Sequence, residues 1–248
     1  MGKRIEQTSQ ILKNYRDAAA EVVAETLWPT RCVLCGNLGH VLCEACSKKL
    51  PFIDQVRSCP QCGASFGQYQ CCECNSYSLK SLGRKKLPFD SCVSALRFTD
   101  ETARIVRTRK DFDERRLVRF MAYTIACAIP SAWVSPSAVV VPVPTTIAAL
   151  HRRGFDHALE LAEEIGSLLH LPTMKLLKVA KTADQRGLGR ASRAANVAGS
   201  FTFLEADVPE RVILVDDVYT TGSTVMAATD ALRQSGVQHV FVATFARV

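Results

Sequence analysis

Apolar residues recur along this chain with two different periods. Between Ile11 and Leu27 they follow one another at three- and four-residue intervals, which predicts an amphipathic helix ending before Pro29. From Ser91 to the end, short apolar runs alternate with helical patterns. Strands are predicted at 91–98, 138–141, 211–215 and 239–246, and helices at 102–129, 158–169 and 223–234.

The alternation of apolar strands with helices predicts a parallel sheet. Strands that are apolar at nearly every position are typical of a sheet covered on both faces. We therefore expect an α/β fold, an open parallel sheet with helices on both faces, over residues 91–248. The amphipathic helix at 1–28, a cysteine-rich module at 29–78 and a basic connector precede it. Ligands of such sheets lie at the carboxyl ends of the strands.

The cysteine-rich module carries the strongest local signal. Residues 32–74 contain few apolar runs and cannot form a core without a staple. Four Cys-x-x-Cys pairs lie within them, and two residues between thiolates let both sulfurs bind one ion. Eight thiolates supply two closed tetrahedral sites, which predicts two structural zinc ions without a catalytic role. The candidate zinc ligands are Cys32, Cys35, Cys43, Cys46, Cys59, Cys62, Cys71 and Cys74.

The spacing leaves the grouping of these cysteines open. Sequential filling, with the first four in one site and the last four in the other, is preferred because each site then spans a short loop. An interleaved scheme, a single site with vestigial cysteines, and Cys72 in place of Cys71 are the alternatives. Cys92 and Cys127 fall on a predicted strand and a predicted helix, and we expect them to be inert core thiols.

Composition and charge narrow the classes of partner. With 48% apolar and 22% charged residues, the chain is typical of a globular protein. Its net charge of +7 is concentrated in residues 80–119, which contain twelve lysines and arginines but only six acids. This excess of positive charge favours a polyanionic partner. Aromatic residues amount to 7% and do not interleave with the basic stretch, so no base-stacking platform is predicted. The candidate nucleic-acid contacts are Arg104, Arg107, Arg109, Lys110, Arg115 and Arg116.

The sequence predicts no targeting segment and no membrane span. Glu21 and Glu25 interrupt the apolar stretch near the N-terminus, so it is too polar for a signal peptide or a spanning helix. Cysteines of a chain that is not exported stay reduced, which favours thiolate–zinc chemistry over disulfides. We therefore expect a cytoplasmic protein.

The segment most informative about function joins the third predicted strand to a helix. The apolar run at 212–215 is followed by two adjacent acids, then by a turn rich in hydroxyls and glycine, and then by the helix. Carboxylates at a strand end can accept hydrogen bonds from a ribose diol, and a helix N-terminus with hydroxyl donors suits a phosphate. The candidate ribose- and phosphate-binding residues are Asp216, Asp217, Thr220, Thr221, Gly222, Ser223 and Thr224.

This segment resembles the 5-phosphoribosyl 1-pyrophosphate signature of type I phosphoribosyltransferases. Three further features resemble the ComF family: Val141-Pro142-Val143-Pro144 followed by Arg152-Arg153-Gly154-Phe155, the stretch from Gln185 to Phe201, and the eight-cysteine front. The resemblance covers almost the whole chain from about Trp28 onward. It implies a type I phosphoribosyltransferase-like sheet behind a double zinc ribbon.

The resemblance also implies roles for residues outside the strand–helix segment. Arg152, Arg153 and Gly154 would bind pyrophosphate. A mobile loop would carry Gln185, Arg190, Arg193 and Asn196. Lys110 lies where the family often has a lysine, without an assigned role. The chain departs from its relatives at Asp156-His157, where they usually show Asn-Gln.

The ligands and the process follow from the same resemblance. Asp216 and Asp217 would bind the ribose hydroxyls of phosphoribosyl pyrophosphate or a related ribose phosphate, with magnesium bridging the ligand's diol and pyrophosphate. The family is implied in the uptake and processing of single-stranded DNA during natural transformation, with DNA-uptake helicase or channel proteins as further partners. The alternative is an active phosphoribosyltransferase of nucleotide or amine metabolism. The sequence identifies neither an acceptor pocket nor a catalytic residue.

Overall fold

The computed structural model describes residue 26 and residues 29–112, 114–179, 200–204 and 207–248. The chain divides into two compact units, Met1–Lys49 and Leu50–Val248. The two groups of four cysteines therefore belong to different units. The helix predicted at 1–28 lies outside the described residues, apart from Thr26.

The described part of the first unit is a zinc-ribbon knuckle. Gly36, with a φ of 77°, turns the chain so that its N–H donates to the carbonyl oxygen of Cys32 at 2.9 Å. An isolated antiparallel bridge joins Arg31 to Leu38. A short helix, α1 (Glu44–Ser47), follows Cys43.

The second unit contains a four-stranded parallel sheet. Its strands are β1 (Ser91–Arg97), β2 (Ala138–Pro142), β5 (Arg211–Tyr219) and β6 (His239–Arg247), in the order β1-β6-β5-β2. A short antiparallel pair, β3 (Leu177–Val179) and β4 (Phe201–Phe203), lies between β2 and β5 in the sequence. The predicted open parallel sheet is confirmed.

Helices cover both faces of this sheet. The helices of this unit are α2 (Ser76–Ser81), α3 (Asp100–Asp111), α4 (Leu117–Ala128), α5 (Ile147–Arg153), α6 (His157–Leu169) and α7 (Ser223–Gln234), with a 3-10 turn at Ser131–Trp133. On one face, Val212 and Leu214 of β5 share a core with Val225 and Leu232 of α7. Successive strand residues point to opposite faces. The other face is covered by α4, packed on β1 and β6, and by α6, packed on β2 and β5.

Three features of the fold differ from the prediction. The helix predicted at 102–129 is two helices, because the charged stretch from Asp111 to Arg116 offers no inward apolar side chain to continue the stripe of α3. The strand predicted at 211–215 continues to Tyr219, since its last residues still pair with β6 as far as Arg247. The helix α5 was not predicted.

Candidate functional site

The first two Cys-x-x-Cys pairs form one cage of four sulfurs, and the last two pairs form a second cage. All sulfurs of a cage lie within 4.8 Å of one another, and Sγ–Sγ distances are 3.7 Å for Cys35–Cys43 and 3.6 Å for Cys59–Cys74. A tetrahedral zinc with Zn–S bonds of about 2.3 Å separates its sulfurs by roughly 3.8 Å. Both cages therefore fit structural zinc, and the sequential grouping is confirmed. The cages are Cys32/Cys35/Cys43/Cys46 and Cys59/Cys62/Cys71/Cys74, with Cys71 rather than Cys72 as a member.

The second cage is fastened to two strands of the sheet. Gly63, with a φ of 73°, packs so closely on β1 that a Cβ there would lie 2.9 Å from the Cys92 carbonyl oxygen. Arg247, at the end of β6, donates to the Cys62 carbonyl oxygen at 2.7 Å and to Glu73 at 2.5 Å. Its side chain is only 4% exposed. The second ribbon is therefore part of the core of the sheet unit.

The same arginine reaches the candidate phosphate loop through one aromatic ring. The guanidinium carbon of Arg247 lies 4.0 Å from the centroid of the Tyr219 ring. Burial raises the pKa of that phenol well above its usual range. Gly222, with a φ of 74°, lies against the same ring so closely that a Cβ would overlap it. Only glycine fits at this position, and Tyr219 separates the buried cation from the loop.

The loop after β5 presents hydroxyl groups around the start of α7. Thr220, Thr221 and Thr224 are exposed and Ser223 is half-buried. The Thr221 and Ser223 hydroxyl oxygens lie 2.8 Å apart, and the Ser223 N–H donates to Thr221 Oγ1 at 3.4 Å. The first amides of a helix have no carbonyl partner within it, and the helix dipole adds positive potential there. The predicted residues therefore form a loop of donors suited to an anion.

The two acids lie inside β5, just before this loop. Asp217 is buried and Asp216 is half-buried. The Asp217 N–H donates to Asp216 Oδ1 at 2.9 Å. Burial, followed by the neighbouring charge of Asp217, raises the pKa of Asp216 to about 8. Near neutral pH most of the Asp216 carboxyl is protonated, so the pair can both donate to and accept from a polyol.

Asp217 is the centre of a charged cluster. Lys110 Nζ forms an ion pair with its carboxylate, and His157 Nε2 lies 4.0 Å from the same oxygen. Burial lowers the pKa of His157 to about 4, so its ring is neutral at physiological pH. His157 Nδ1 lies 3.4 Å from both Arg153 Nη1 and Thr145 Oγ1. Four segments thus meet at one edge of the sheet. They are the end of α3, the loop after β2, the start of α6 and the start of the phosphate loop.

The residues predicted to bind pyrophosphate end the helix α5. Arg153 is 13% exposed, and its Nη2 lies 3.8 Å from Asp111 Oδ1. Arg152 is exposed, and Gly154 ends the helix in the left-handed region with a φ of 76°. Arg153 therefore joins the cluster around Asp217. The sequence did not predict this grouping, because the position of α5 and the contact of Lys110 with Asp217 both depend on tertiary packing.

Arg109, a predicted nucleic-acid contact, is a core residue. Its side chain is 3% exposed, pairs with Glu160 and lies 4.6 Å from the centroid of the Phe155 ring. The burial of Arg109 can be inferred from helical spacing, since Arg109 continues the buried stripe of Thr102 and Val106 on α3. Its burial removes Arg109 from the candidate contacts.

The other predicted nucleic-acid contacts differ in their surroundings. Lys110 lies in the cluster around Asp217. Arg115 lies 3.9 Å from Glu160, and Arg116 pairs with Glu114 at 2.8 Å. The remaining two, exposed on α3, are Arg104 and Arg107.

The two cysteines outside the cages have opposite environments. Cys92 is buried in β1, and burial raises its pKa to about 12, so it is the inert core thiol that we expected. Cys127 is exposed on α4, which corrects the expectation that it lies in the core.

The predictions of a mobile loop and of magnesium receive no structural support. The predicted loop residues Gln185, Arg190, Arg193 and Asn196 lie outside the described residues. Within the described ranges, only the cysteines form groups of three or more potential metal ligands, so Asp216 and Asp217 alone do not make a magnesium site. In the same ranges, every helix is too short or too polar to span a membrane.

Comparison with known proteins confirms the resemblance. Residues 23–75 match the family model of the double zinc ribbon domain. Competence protein F of Haemophilus influenzae is 28% identical over 233 residues, which cover 88% of this chain and 96% of that protein. DNA utilization protein YhgH of Salmonella typhimurium is 28% identical over 227 residues, covering 86% and 95%. Competence protein ComFC of Streptococcus pneumoniae is 21% identical over 226 residues, covering 85% and 96%.

Proposed function

Because this chain is a relative of the ComF proteins, we propose that it handles single-stranded DNA during DNA uptake or processing and binds a 5-phosphoribosyl group at the edge of its sheet. The names of its relatives, competence and DNA utilization proteins, support the process. The loop between β5 and α7 supports the ligand. A cytoplasmic location goes with this proposal, since thiolate cages persist where cysteines stay reduced.

The observation that carries the proposal is the sequence of groups along one strand end. Asp216 and Asp217 precede a loop of hydroxyls, and the loop leads directly into the N-terminus of α7. A phosphate on the loop accepts hydrogen bonds from amides and hydroxyls, and the sugar then extends back toward the carboxyls. The order of acceptors and donors along this segment thus follows the two ends of a ribose 5-phosphate.

The cations around Asp217 complete this pocket. Lys110 pairs with Asp217, and Arg153 contacts His157, which lies beside the same carboxylate. Both cations are therefore near the place where a phosphoribosyl ligand would carry its pyrophosphate. Neutral His157 adds a hydrogen-bonding ring without adding charge. Magnesium, if it enters with the ligand, would neutralise the pyrophosphate. Binding then needs no complete metal site built from protein carboxylates.

The phosphate-binding half of this pocket also suits the 5′ end of a DNA strand, which presents a 5′-phosphate on a deoxyribose that lacks the diol. Binding of this end requires no turnover. The proposed role is therefore capture of a strand end, with the helicase or channel proteins of DNA uptake as partners that deliver the strand.

The second candidate function is transfer of the phosphoribosyl group to an acceptor. A hollow of about 650 Å³ beside Thr145 and Asp156 favours it. The hollow is lined largely by apolar side chains, among them Ile147 and Leu177. In that reaction the acceptor's lone pair bonds to C1 of the ribose as the C1–O bond to pyrophosphate breaks, and pyrophosphate leaves with the electron pair. Cations near the pyrophosphate would stabilise the leaving group.

Calorimetric titration of the zinc-loaded protein with phosphoribosyl pyrophosphate and with ribose 5-phosphate tests the proposal. We expect both ligands to bind the wild type and the double variant Asp216→Asn/Asp217→Asn to lose at least tenfold in affinity, since a hydrogen bond to a charged group contributes about 1.5–3 kcal/mol. Glu163→Gln, an exposed change on α6, is the control and should bind as the wild type does.

Two further measurements separate the two candidate functions. Release of pyrophosphate from phosphoribosyl pyrophosphate across a panel of bases and amines would support transfer. Binding of a 5′-phosphorylated oligonucleotide more tightly than its 5′-hydroxyl form, with no pyrophosphate released, would support strand-end capture. No affinity of the wild type for any ribose phosphate would contradict both.

A further inference from the structure

The second zinc ribbon presents an exposed aromatic and amide surface that the functions above do not use. Tyr69 is 101% exposed and Phe66 is 68% exposed, although both lie in a loop of the ribbon. Gln61, Gln68 and Gln70 are exposed beside them. An aromatic ring held fully in water gains nothing for the fold, and such a ring is available to stack on a flat ligand.

The cysteine cage holds this loop in place. Gly67 has a φ of 142°, and a Cβ there would lie 3.0 Å from the Cβ atoms of both Cys59 and Cys71. The N–H groups of Gly67 and Gln68 donate to the Arg57 carbonyl oxygen at 3.1 and 3.3 Å. The ring of Tyr69 is therefore presented by a rigid support, so that binding on it orders little backbone.

Two hollows share Gln61, and one of them is also lined by this tyrosine. One, of about 280 Å³, is lined by Tyr69, Gln68, Gln70, Asn75 and Gln61, and its size is near the lower limit of small-ligand pockets, about 300 Å³. Amide side chains of this kind pair with the edges of bases. Gln61 also lines the second hollow, of about 740 Å³, so the two are neighbours.

The second hollow carries an excess of positive charge. Three cations and two acids line it. Arg84 pairs with Asp230, and Arg233 pairs with Asp90 at 2.8 Å. Lys86 is exposed and, within the described ranges, has no ion-pair partner. The same is true of Lys80, near the end of α2, and of Lys85. Lys86 lines this hollow, and Lys80 and Lys85 are near it in the sequence. Such solvated cations suit a phosphate backbone, and the aromatic and amide groups of the neighbouring hollow suit unpaired bases.

We propose that the surface formed by Tyr69, the amides around it and the lysines of residues 80–86 binds single-stranded DNA. This inference rests on the proposed function, since the relatives' names favour DNA over RNA or a protein as the partner. It moves the main DNA contact away from α3, where Arg109 is buried and Lys110 pairs with Asp217.

Fluorescence anisotropy with a labelled oligothymidylate of about 20 nucleotides tests the inference. We expect Tyr69→Ala to weaken binding roughly tenfold and Tyr69→Phe to leave it unchanged, because stacking needs the ring and not the hydroxyl. Lys85→Ala/Lys86→Ala should lower the slope of log affinity against log salt by about 1–2. Tyr123→Ala, at another exposed tyrosine on α4, is the matched control and should bind as the wild type does.

The outcomes distinguish this inference from the proposed function. Wild-type binding that is equally tight in Tyr69→Ala, or that is lost only in Arg104→Ala/Arg107→Ala, overturns the inference alone. Equal affinity for a duplex of the same length overturns it as well, because paired bases cannot stack on the ring. Absence of any single-strand binding by the wild type contradicts both. Unchanged zinc content and melting temperature in Tyr69→Ala will show that the ribbon is intact.

Discussion

The two zinc ribbons share one sequence pattern and differ in what surrounds them. In the first cage Cys35 is exposed, whereas in the second cage no ligand is exposed and Cys59, Cys62 and Cys74 are buried. The second ribbon also contacts β1 through Gly63 and β6 through Arg247. The same Cys-x-x-Cys spacing can therefore form a cage whose thiols are partly exposed or one whose thiols are buried against the strands of a sheet.

The largest expected difference is between equivalent thiolate losses in the two cages. Cys62→Ser should remove the second zinc and destabilise the sheet unit by about 4 kcal/mol or more, because the cage is part of its core. Cys35→Ser should remove only the first zinc and leave phosphoribosyl binding unchanged. Zinc content, differential scanning calorimetry and ligand titration check both variants. Equal loss of ligand affinity in the two variants would contradict the comparison.

Arg247 tests how the second ribbon is fastened to the sheet. Arg247→Met should lower the free energy of unfolding by about 3 kcal/mol, because it breaks charge-assisted hydrogen bonds to Cys62 and Glu73 in a buried site. It should also weaken phosphoribosyl binding, since Tyr219 loses its support beside the loop. Urea denaturation and titration measure the two effects. Glu73→Gln, with a smaller loss, is the partner variant, and a stability unchanged in Arg247→Met would refute the link.

Substitutions of two glycines distinguish the cost of backbone strain from the cost of a clash with the Tyr219 ring. Gly222→Ala places an alanine with a left-handed backbone conformation against the Tyr219 ring. Gly83 has a similar φ of 69°, but a Cβ added there would have no neighbouring atom within 4 Å. Gly83→Ala should cost only about 1 kcal/mol from strain. Gly222→Ala should cost more and abolish phosphate binding. Thermal unfolding and titration provide the readouts, and equal costs would show that the ring contact has no effect.

The last expected effect is a dependence of stability on pH that comes from Asp216. Its pKa is raised to about 8 from 3.8, so the folded protein keeps a proton that the unfolded chain releases between those values. The contribution of this group to stability is therefore complete below about pH 4 and is lost as the pH rises to about 8. Asp216→Asn cannot titrate, so its melting temperature should exceed that of the wild type by more at pH 8 than at pH 5. Parallel pH profiles would show that Asp216 ionises normally.

The sheet and both zinc cages were predictable because their signals are local. Apolar runs defined the four strands, and helix α7 begins and ends where the sequence predicts, at Ser223 and Gln234. The spacing of the cysteines predicted both cages, and the structure confirms the preferred sequential grouping. The break between α3 and α4 was missed because apolar residues on both sides share one helical period, and the charged stretch between them was taken as a helix surface.

The site was predictable only in part, because its charges come from distant segments. Asp216, Asp217 and the hydroxyl loop lie together in the sequence, but Lys110 and His157 reach Asp217 only through folding. Burial of Arg109 could have been predicted from its place on the stripe of α3. The exposure of Tyr69 could not, because residues between zinc ligands follow no helical or strand period.

A crystal structure of the protein with ribose 5-phosphate bound is the most direct test of the account. We predict the phosphate at the amides and hydroxyls of residues 220–224 and the ribose hydroxyls within hydrogen-bonding distance of Asp216 and Asp217. A ligand bound elsewhere on the protein, or an empty pocket at saturating ribose 5-phosphate, would contradict the account.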